Sequence, residues 1–196
     1  MQLTKRLVLA SQSPRRIQLL RQIGLDVEVV PSSIAEAFDH SMAPEENAKR
    51  LAMEKALEVG ASFSDAIVIG ADTIVAVNGT MLGKPESSDD AAAMLATLSG
   101  RTHAVVTAFC LLDRPSNRSV TEVETTRVTF RVLPPEEIAE YVATGSPLDK
   151  AGAYGIQDDY GAVFVTRIEG CCYNVVGFPL ARFYTTLRDF QAQGVS

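Results

Sequence analysis

The sequence predicts an α/β fold with a mixed, strongly twisted central sheet and a cleft along it. Short apolar runs alternate with helical patterns in the first half of the chain, the pattern of parallel strands joined by helices. Two longer strand regions then follow one another across a turn, which predicts antiparallel pairing. The 196 residues, 46% of them apolar, suffice for one domain or a compact two-lobed one with ample core.

Each element has a local reason. Leu7-Val8-Leu9-Ala10 reads as a buried strand. Ser11-Gln12-Ser13 is turn-like, and Pro14, with fixed φ and no N–H, suits a first helical position with Ser13 as cap. That helix is expected to bury Ile17, Leu20 and Ile23 and to stop at Gly24. Val27 to Val30 predicts a short strand, and Pro31 to Ala43 a loop carrying Glu36, Asp39 and His40. From about Pro44 to Val59 an apolar arc of Ala48, Leu51, Ala52, Ala56 and Val59 predicts a helix. Ala66 to Val77 is a nearly continuous buried-strand signal, and Asn78-Gly79 a turn.

Ser88, with Asp89 and Asp90 behind it, is expected to cap a helix through Leu98. Strands are predicted over about 103–113 and 120–132, the second half-exposed, with Val128, Phe130 and Val132 inward. Pro134-Pro135-Glu136-Glu137 opens a helix ending near Thr144-Gly145. A glycine- and charge-rich loop covers 146–161, and a strand 162–168. A last helix follows Pro179, its core stripe formed by Leu180, Phe183, Tyr184, Leu187 and Phe190.

The totals exclude several function classes. A net charge of −6 argues against a broad nucleic-acid surface while leaving room for a local cationic pocket. No apolar run approaches the roughly 20 residues of a membrane span. The basic start of the chain is followed by no secretory core, which predicts a cytoplasmic protein. Cys110, Cys171 and Cys172 have no zinc or disulfide spacing and read as buried small residues. The chain lacks a P-loop, a dinucleotide fingerprint and a nucleophile elbow. Of the two histidines, His103 reads as structural.

Four residues break local rules. Arg15 and Arg16 occupy a first helical turn, where the macrodipole is positive and carboxylates are the favoured charges. They are either solvated or held there for an anion, with free N–H groups and serine hydroxyls beside them. Helical counting places Lys55 in the middle of an apolar arc, either snorkelling or aimed into a cleft. Asp72 interrupts a buried strand two residues after Gly70, which admits close backbone approach. Such a carboxylate either caps a turn or projects into a pocket, bound to a metal or a lysine. With Lys84, Lys150, Glu36 and Asp149, these residues suit a polyphosphate: cations for phosphate oxygens, carboxylates for a hard metal ion.

Most of these residues lie in ordered motifs: Ser11-Gln12-Ser13-Pro14-Arg15-Arg16, Gly70-Ala71-Asp72-Thr73-Ile74-Val75, Gly83-Lys84-Pro85 and Ser99-Gly100 through His103 to Thr107. They continue with Asp149-Lys150-Ala151-Gly152-Ala153-Tyr154-Gly155-Ile156-Gln157 and Asn174-Val175-Val176-Gly177-Phe178-Pro179. Together the motifs resemble the Maf family of nucleoside triphosphate pyrophosphatases over nearly the whole chain. The resemblance implies a single Maf-like domain over 1–196 with a Maf/ITPase-like fold, its central sheet flanked by helices and two lobes around a cleft. It implies hydrolysis of the α–β phosphate bond to a nucleoside monophosphate and pyrophosphate, a divalent metal (Mg²⁺ or Mn²⁺), cytoplasmic location and a homodimer. Arg15, Thr73 and Gln157 stand at the positions that separate substrate classes, in the form of the dTTP/UTP subgroup. Modified pyrimidine nucleotides are further candidate substrates. The rival readings are 7-methyl-GTP or non-standard purine triphosphates, and a nucleotide-binding regulator of septum formation. Asp72 corresponds to the proton acceptor. Ser11, Arg15, Arg16, Lys55 and Lys84 are expected to hold the triphosphate, and Glu36 and Asp72 the metal. The family often has an acidic pair where this chain has Ala35-Glu36, so one loop carboxylate remains.

Overall fold

The computed structural model describes residues 3, 5–157 and 160–193. Among them the chain runs β1 (Leu7–Leu9), α1 (Pro14–Gln22), β2 (Glu28–Val29), α2 (Pro44–Gly60), β3 (Ala66–Val77), β4 (Thr80–Leu82), α3 (Ser88–Leu98), β5 (Thr102–Arg114), β6 (Ser119–Phe130), α4 (Pro135–Ala143), β7 (Val165–Glu169), α5 (Cys172–Val176) and α6 (Leu180–Ala192). The strands form one seven-stranded mixed sheet in the order β2-β1-β3-β5-β6-β7, with β4 paired to β3. β1 lies parallel to β2 and to β3, whereas β3–β4 and β6–β7 are antiparallel. The mixed α/β class expected from the pattern is the one observed.

The chain divides into two compact units. The first comprises Met1–Asp72, Thr107–Glu124 and Gly177–Ser196, and the second Thr73–Val106 and Thr125–Val176. In the first, Leu7, Val8 and Leu9 are buried, as is most of β3 up to Asp72. There α6 packs on β5 through Phe183 and Phe109, whose ring centroids are 5.4 Å apart, with Phe178 against both. In the second, Val75, Val105, Val128 and Phe130 meet Leu95 and Leu98 of α3 and Ile138 and Tyr141 of α4.

Gly70 fixes how closely α2 approaches β3. A Cβ there would lie 2.0 Å from the Ala52 carbonyl oxygen and 2.8 Å from the Ala56 amide nitrogen. No side chain fits, so backbone rests on backbone. The close approach brings the inward face of α2 onto the middle of β3.

Several local expectations are corrected. Ser13 precedes α1 but its side chain caps nothing, and Ser11 Oγ instead accepts from the Ser13 amide at 3.2 Å. The buried face of α1 is Arg16, Leu19 and Leu20, with Ile17 and Ile23 only half-buried. The cap of α3 is Ser87, which accepts from the Asp90 amide. β6 ends at Phe130, and Val132 is 75% exposed: once the strand stops, alternation no longer points a side chain inward. β7 begins at Val165, because residues 160–164 form a tight helical turn. Tyr184 is partly exposed, at the edge of the α6 stripe. Of the cysteines only Cys110 is buried; Cys172 is exposed on α5, a short helix that the sequence reading missed. Within the expected loop 146–161, short helical turns cover 146–149 and 151–153, and Asp158 and Asp159 lie outside the described residues.

Candidate active site

In the first unit the polar segment after β1 turns directly into α1, so Arg16 projects from the first helical turn back into the protein. It is 8% exposed. Its Nη1 donates to Ser11 Oγ at 3.1 Å and to the Ala71 carbonyl at 3.0 Å, and its Nε donates to the Gly177 carbonyl at 3.0 Å. Burial lowers the pKa of the guanidinium, opposed by the charges of Asp72 and Glu36. Arg16 therefore ties α1 to the middle of β3 and to the turn before α6. Arg15, the next residue along, is partly exposed and acts on Arg16 as a like charge. Of the two readings left open for this pair, the solvated one fails for Arg16, which is buried and braces the frame of the site.

Lys55 projects inward from α2, 5% exposed. Its Nζ donates to Asp72 Oδ1 at 2.7 Å, to Glu36 Oε1 at 2.6 Å and to the Ala71 carbonyl at 3.5 Å. The snorkelling alternative is thereby excluded, as is the turn-cap reading of Asp72. Burial raises the pKa of the Asp72 carboxyl, against the pull of Lys55 and Arg16. A carboxyl held in that balance is a stronger proton acceptor than a solvated aspartate. Glu36 and Asp72 both accept from the Lys55 ammonium, so two carboxylates with hard oxygen donors lie close together. That donor set fits Mg²⁺ or Mn²⁺, which bind one or two carboxylates and complete the shell with water and phosphate oxygens. Among the described residues no group of three or more His, Cys, Asp or Glu is placed to hold a metal ion.

Asn47, fully buried on α2, went unremarked in the sequence. Its Nδ2 donates to the carbonyls of Asp39 (2.9 Å), Met42 (3.3 Å) and Ala43 (3.4 Å), and its Oδ1 accepts from the Asp39 amide at 2.8 Å. It pins the loop that delivers Glu36. The signal was available: 47, 51 and 55 share one helix face, so Asn47 lies in the same apolar arc that singled out Lys55. The carbonyls of Ala71 and Gly177 were not foreseeable, since any residue carries one.

The second unit holds the other candidates. Thr73 follows Asp72 in β3 and is half-buried. Lys84 is exposed, between Gly83 and a buried Pro85. The Gly83 carbonyl accepts from the Gly152 amide at 2.9 Å, which joins two of the motifs. Lys150 Nζ donates to Asp149 Oδ1 at 2.7 Å and to the Ser146 carbonyl at 2.5 Å, so it is an internal anchor. Gln157 Oε1 is buried and has no hydrogen-bond partner among the described residues.

The sequence profile of the family described as Maf-like protein matches residues 6–190. This chain belongs to the Maf-like family. The match includes every candidate residue named above. A relative from Caldicellulosiruptor bescii, named dTTP/UTP pyrophosphatase, is 47% identical over 188 residues, covering 94% of each chain. One of the same name from Salinibacter ruber is 50% identical over 188 residues, covering 96% of this chain and 92% of its own. A third, from Syntrophomonas wolfei and also named dTTP/UTP pyrophosphatase, is 48% identical over 179 residues, covering 91% of this chain and 94% of its own.

Proposed function

We propose that this Maf-like protein is a nucleoside triphosphate pyrophosphatase acting on dTTP and UTP, which it cleaves at the α–β anhydride to the nucleoside monophosphate and pyrophosphate. The observation that carries this reading is the buried Asp72 carboxylate, with its raised pKa, held at 2.7 Å by Lys55. The names of relatives at 47–50% identity point to the same activity.

Asp72 is the residue we assign to accept a proton from the attacking water. Its place in the middle of β3 and the Lys55 contact aim its Oδ1, and burial raises its affinity for the proton. Ser11, Arg15, Arg16, Lys55 and Lys84 are assigned to the triphosphate. Through Nε and Nη1 Arg16 also holds Ser11 and the carbonyls of Gly177 and Ala71 in place. Glu36 and Asp72 would hold a divalent cation, which when bound neutralises phosphate charge and acidifies water. Thr73 and Gln157 are assigned to substrate choice. A buried acceptor such as Gln157 Oε1 matches the N3–H donor of uracil and thymine, and it disfavours cytosine, whose N3 is itself an acceptor. We assign the whole chain to one catalytic domain that works as a cytoplasmic homodimer. Among the described residues no helix is long and apolar enough to cross a membrane.

The test is pyrophosphate release from a panel of canonical, 7-methylated and modified triphosphates, with Mg²⁺, with Mn²⁺ and with a chelator. The expected result is metal-dependent turnover strongest on dTTP and UTP. A preference for a purine triphosphate would overturn the assignment, as would saturable binding of dTTP and UTP with no product.

A further inference from the structure

His103 lies on β5, 2% exposed, in the motif from Ser99 to Thr107 to which no role in the reaction has been given. Its Nε2 is 2.7 Å from the Tyr154 hydroxyl. Its ring meets Phe130 edge-on at 4.9 Å and Tyr154 at 5.4 Å, and Phe130 meets Tyr154 at 4.7 Å, so the three rings lock one another. The His103–Tyr154 contact is a buried hydrogen bond joining two motifs far apart in sequence.

Tyr154 belongs to a segment that needs holding. Gly152 and Ala153 both adopt the left-handed region, at φ +68° and +62°. Glycine takes that conformation readily, whereas Ala153 does not. Gly152 is further confined by Val75, whose Cγ2 lies 2.9 Å from where a Cβ would stand. On the N-terminal side the segment is anchored by Lys150 Nζ on Ser146 and by the Gly152 amide on the Gly83 carbonyl. The Tyr154 hydroxyl on His103 is the anchor on the C-terminal side, three residues before Gln157. Gly161 admits the Gly155 carbonyl at 2.7 Å from its own would-be Cβ, so the chain closes tightly behind that anchor.

We propose that His103 is a positioning residue for the nucleotide: through the Tyr154 hydroxyl it holds the Lys150–Gln157 segment in its strained conformation and so presents Gln157 to the base. The proposal rests on the assignment of Gln157 to base recognition made above. His103 touches no reacting atom. Its effect belongs to substrate affinity and base choice, and the chemical step is left to Asp72.

The test compares KM and kcat for UTP, dTTP and CTP in the full-length wild type and in Tyr154→Phe, His103→Phe, His103→Gln and Gln157→Ala, with thermal melting to establish that each is folded at the assay temperature. Tyr154→Phe removes one oxygen and keeps the ring. Both it and His103→Phe are expected to raise KM for UTP and dTTP by about five- to tenfold, to leave kcat within about twofold, and to narrow the preference for UTP over CTP. A variant combining Tyr154→Phe with His103→Phe is expected to be no worse than the weaker of the two singles, because both remove the same bond. His103→Gln keeps a hydrogen-bonding nitrogen near the Nε2 position and is expected to restore KM toward the wild-type value. A merely structural pair lowers the melting temperature and leaves KM and base preference unchanged in Tyr154→Phe and His103→Phe; that result would overturn the proposal. Gln157→Ala separates the two claims. If it loses base preference while Tyr154→Phe and His103→Phe do not, positioning by His103 is wrong and base reading by Gln157 stands. If it keeps wild-type preference while Tyr154→Phe raises KM, the base reading is wrong and positioning of the segment by His103 stands.

Discussion

Asp72 and Lys55 form a charged pair that is almost entirely out of water, with Glu36 as a more exposed third member. Burying two charges is repaid only when the geometry is good and the remaining polar atoms are satisfied, and a buried pair is weak evidence for stability as such. Here the Ala71 carbonyl and Glu36 complete the ammonium's surroundings. Asp72→Asn keeps the shape and one acceptor oxygen while removing the basic lone pair, and Glu36 still faces Lys55. The expected outcome is a folded protein whose pyrophosphate release falls by about 10²–10⁴-fold, the usual worth of a positioned general base. Far-UV circular dichroism checks the fold and pyrophosphate detection the rate. Near-normal turnover would remove Asp72 from the mechanism.

At the scale of elements, the joint between α2 and β3 builds this site. Ala48, Ala52 and Ala56 make one face of α2 small enough to approach a strand, and Gly70 removes the side chain that would keep it away. Lys55 reaches Asp72 because of that approach. A methyl group at position 70 would overlap the α2 backbone, which has no rotamer with which to give way. Gly70→Ala is therefore expected to destabilise by about 3 kcal/mol or more, above the common range for overpacking. It is also expected to lower activity even below its melting temperature, because it pushes Lys55 from its partner. A denaturant midpoint close to that of the wild type would contradict the close approach. The expectation that Gly70 admits another backbone was readable from its place in a buried strand. The partner, α2, was not, since nothing local says which helix covers which strand.

For the molecule as a whole, His103 predicts how stability varies with pH. Burial pushes its pKa down to about 4 from an ordinary value of 6.5. The imidazole is neutral in the folded protein over a range where the unfolded chain takes up a proton. The unfolded state thus binds more protons between pH 6.5 and 4, and stability falls as pH falls through that window. The contribution is complete above pH 6.5 and lost below about pH 4, on the order of 3 kcal/mol for a shift of this size. Melting temperatures across pH 7.5 to 4.5 check this. His103→Phe is expected to be less stable at neutral pH, with a shallower decline below 6.5. Equal slopes in the two proteins would place the sensitivity elsewhere.

The sequence by itself determined the fold class, the order and approximate extent of most elements, and the residues that break local rules. Each of those rests on periodicity, on capping chemistry or on a charge in an apolar run, which are properties of neighbouring residues. It also carried the family resemblance, because the motifs survive as ordered strings. Only the tertiary structure decided what the rule-breakers bind. Lys55 turned out to bridge Asp72 and Glu36, Lys150 to hold Asp149 and Ser146, and Arg16 to join Ser11 to the carbonyls of Ala71 and Gly177. These partners lie from one to 161 positions apart, and about half of them are backbone carbonyls that every residue possesses. A pattern along the chain marks a side chain that needs a partner. The packing of one element on another chooses it.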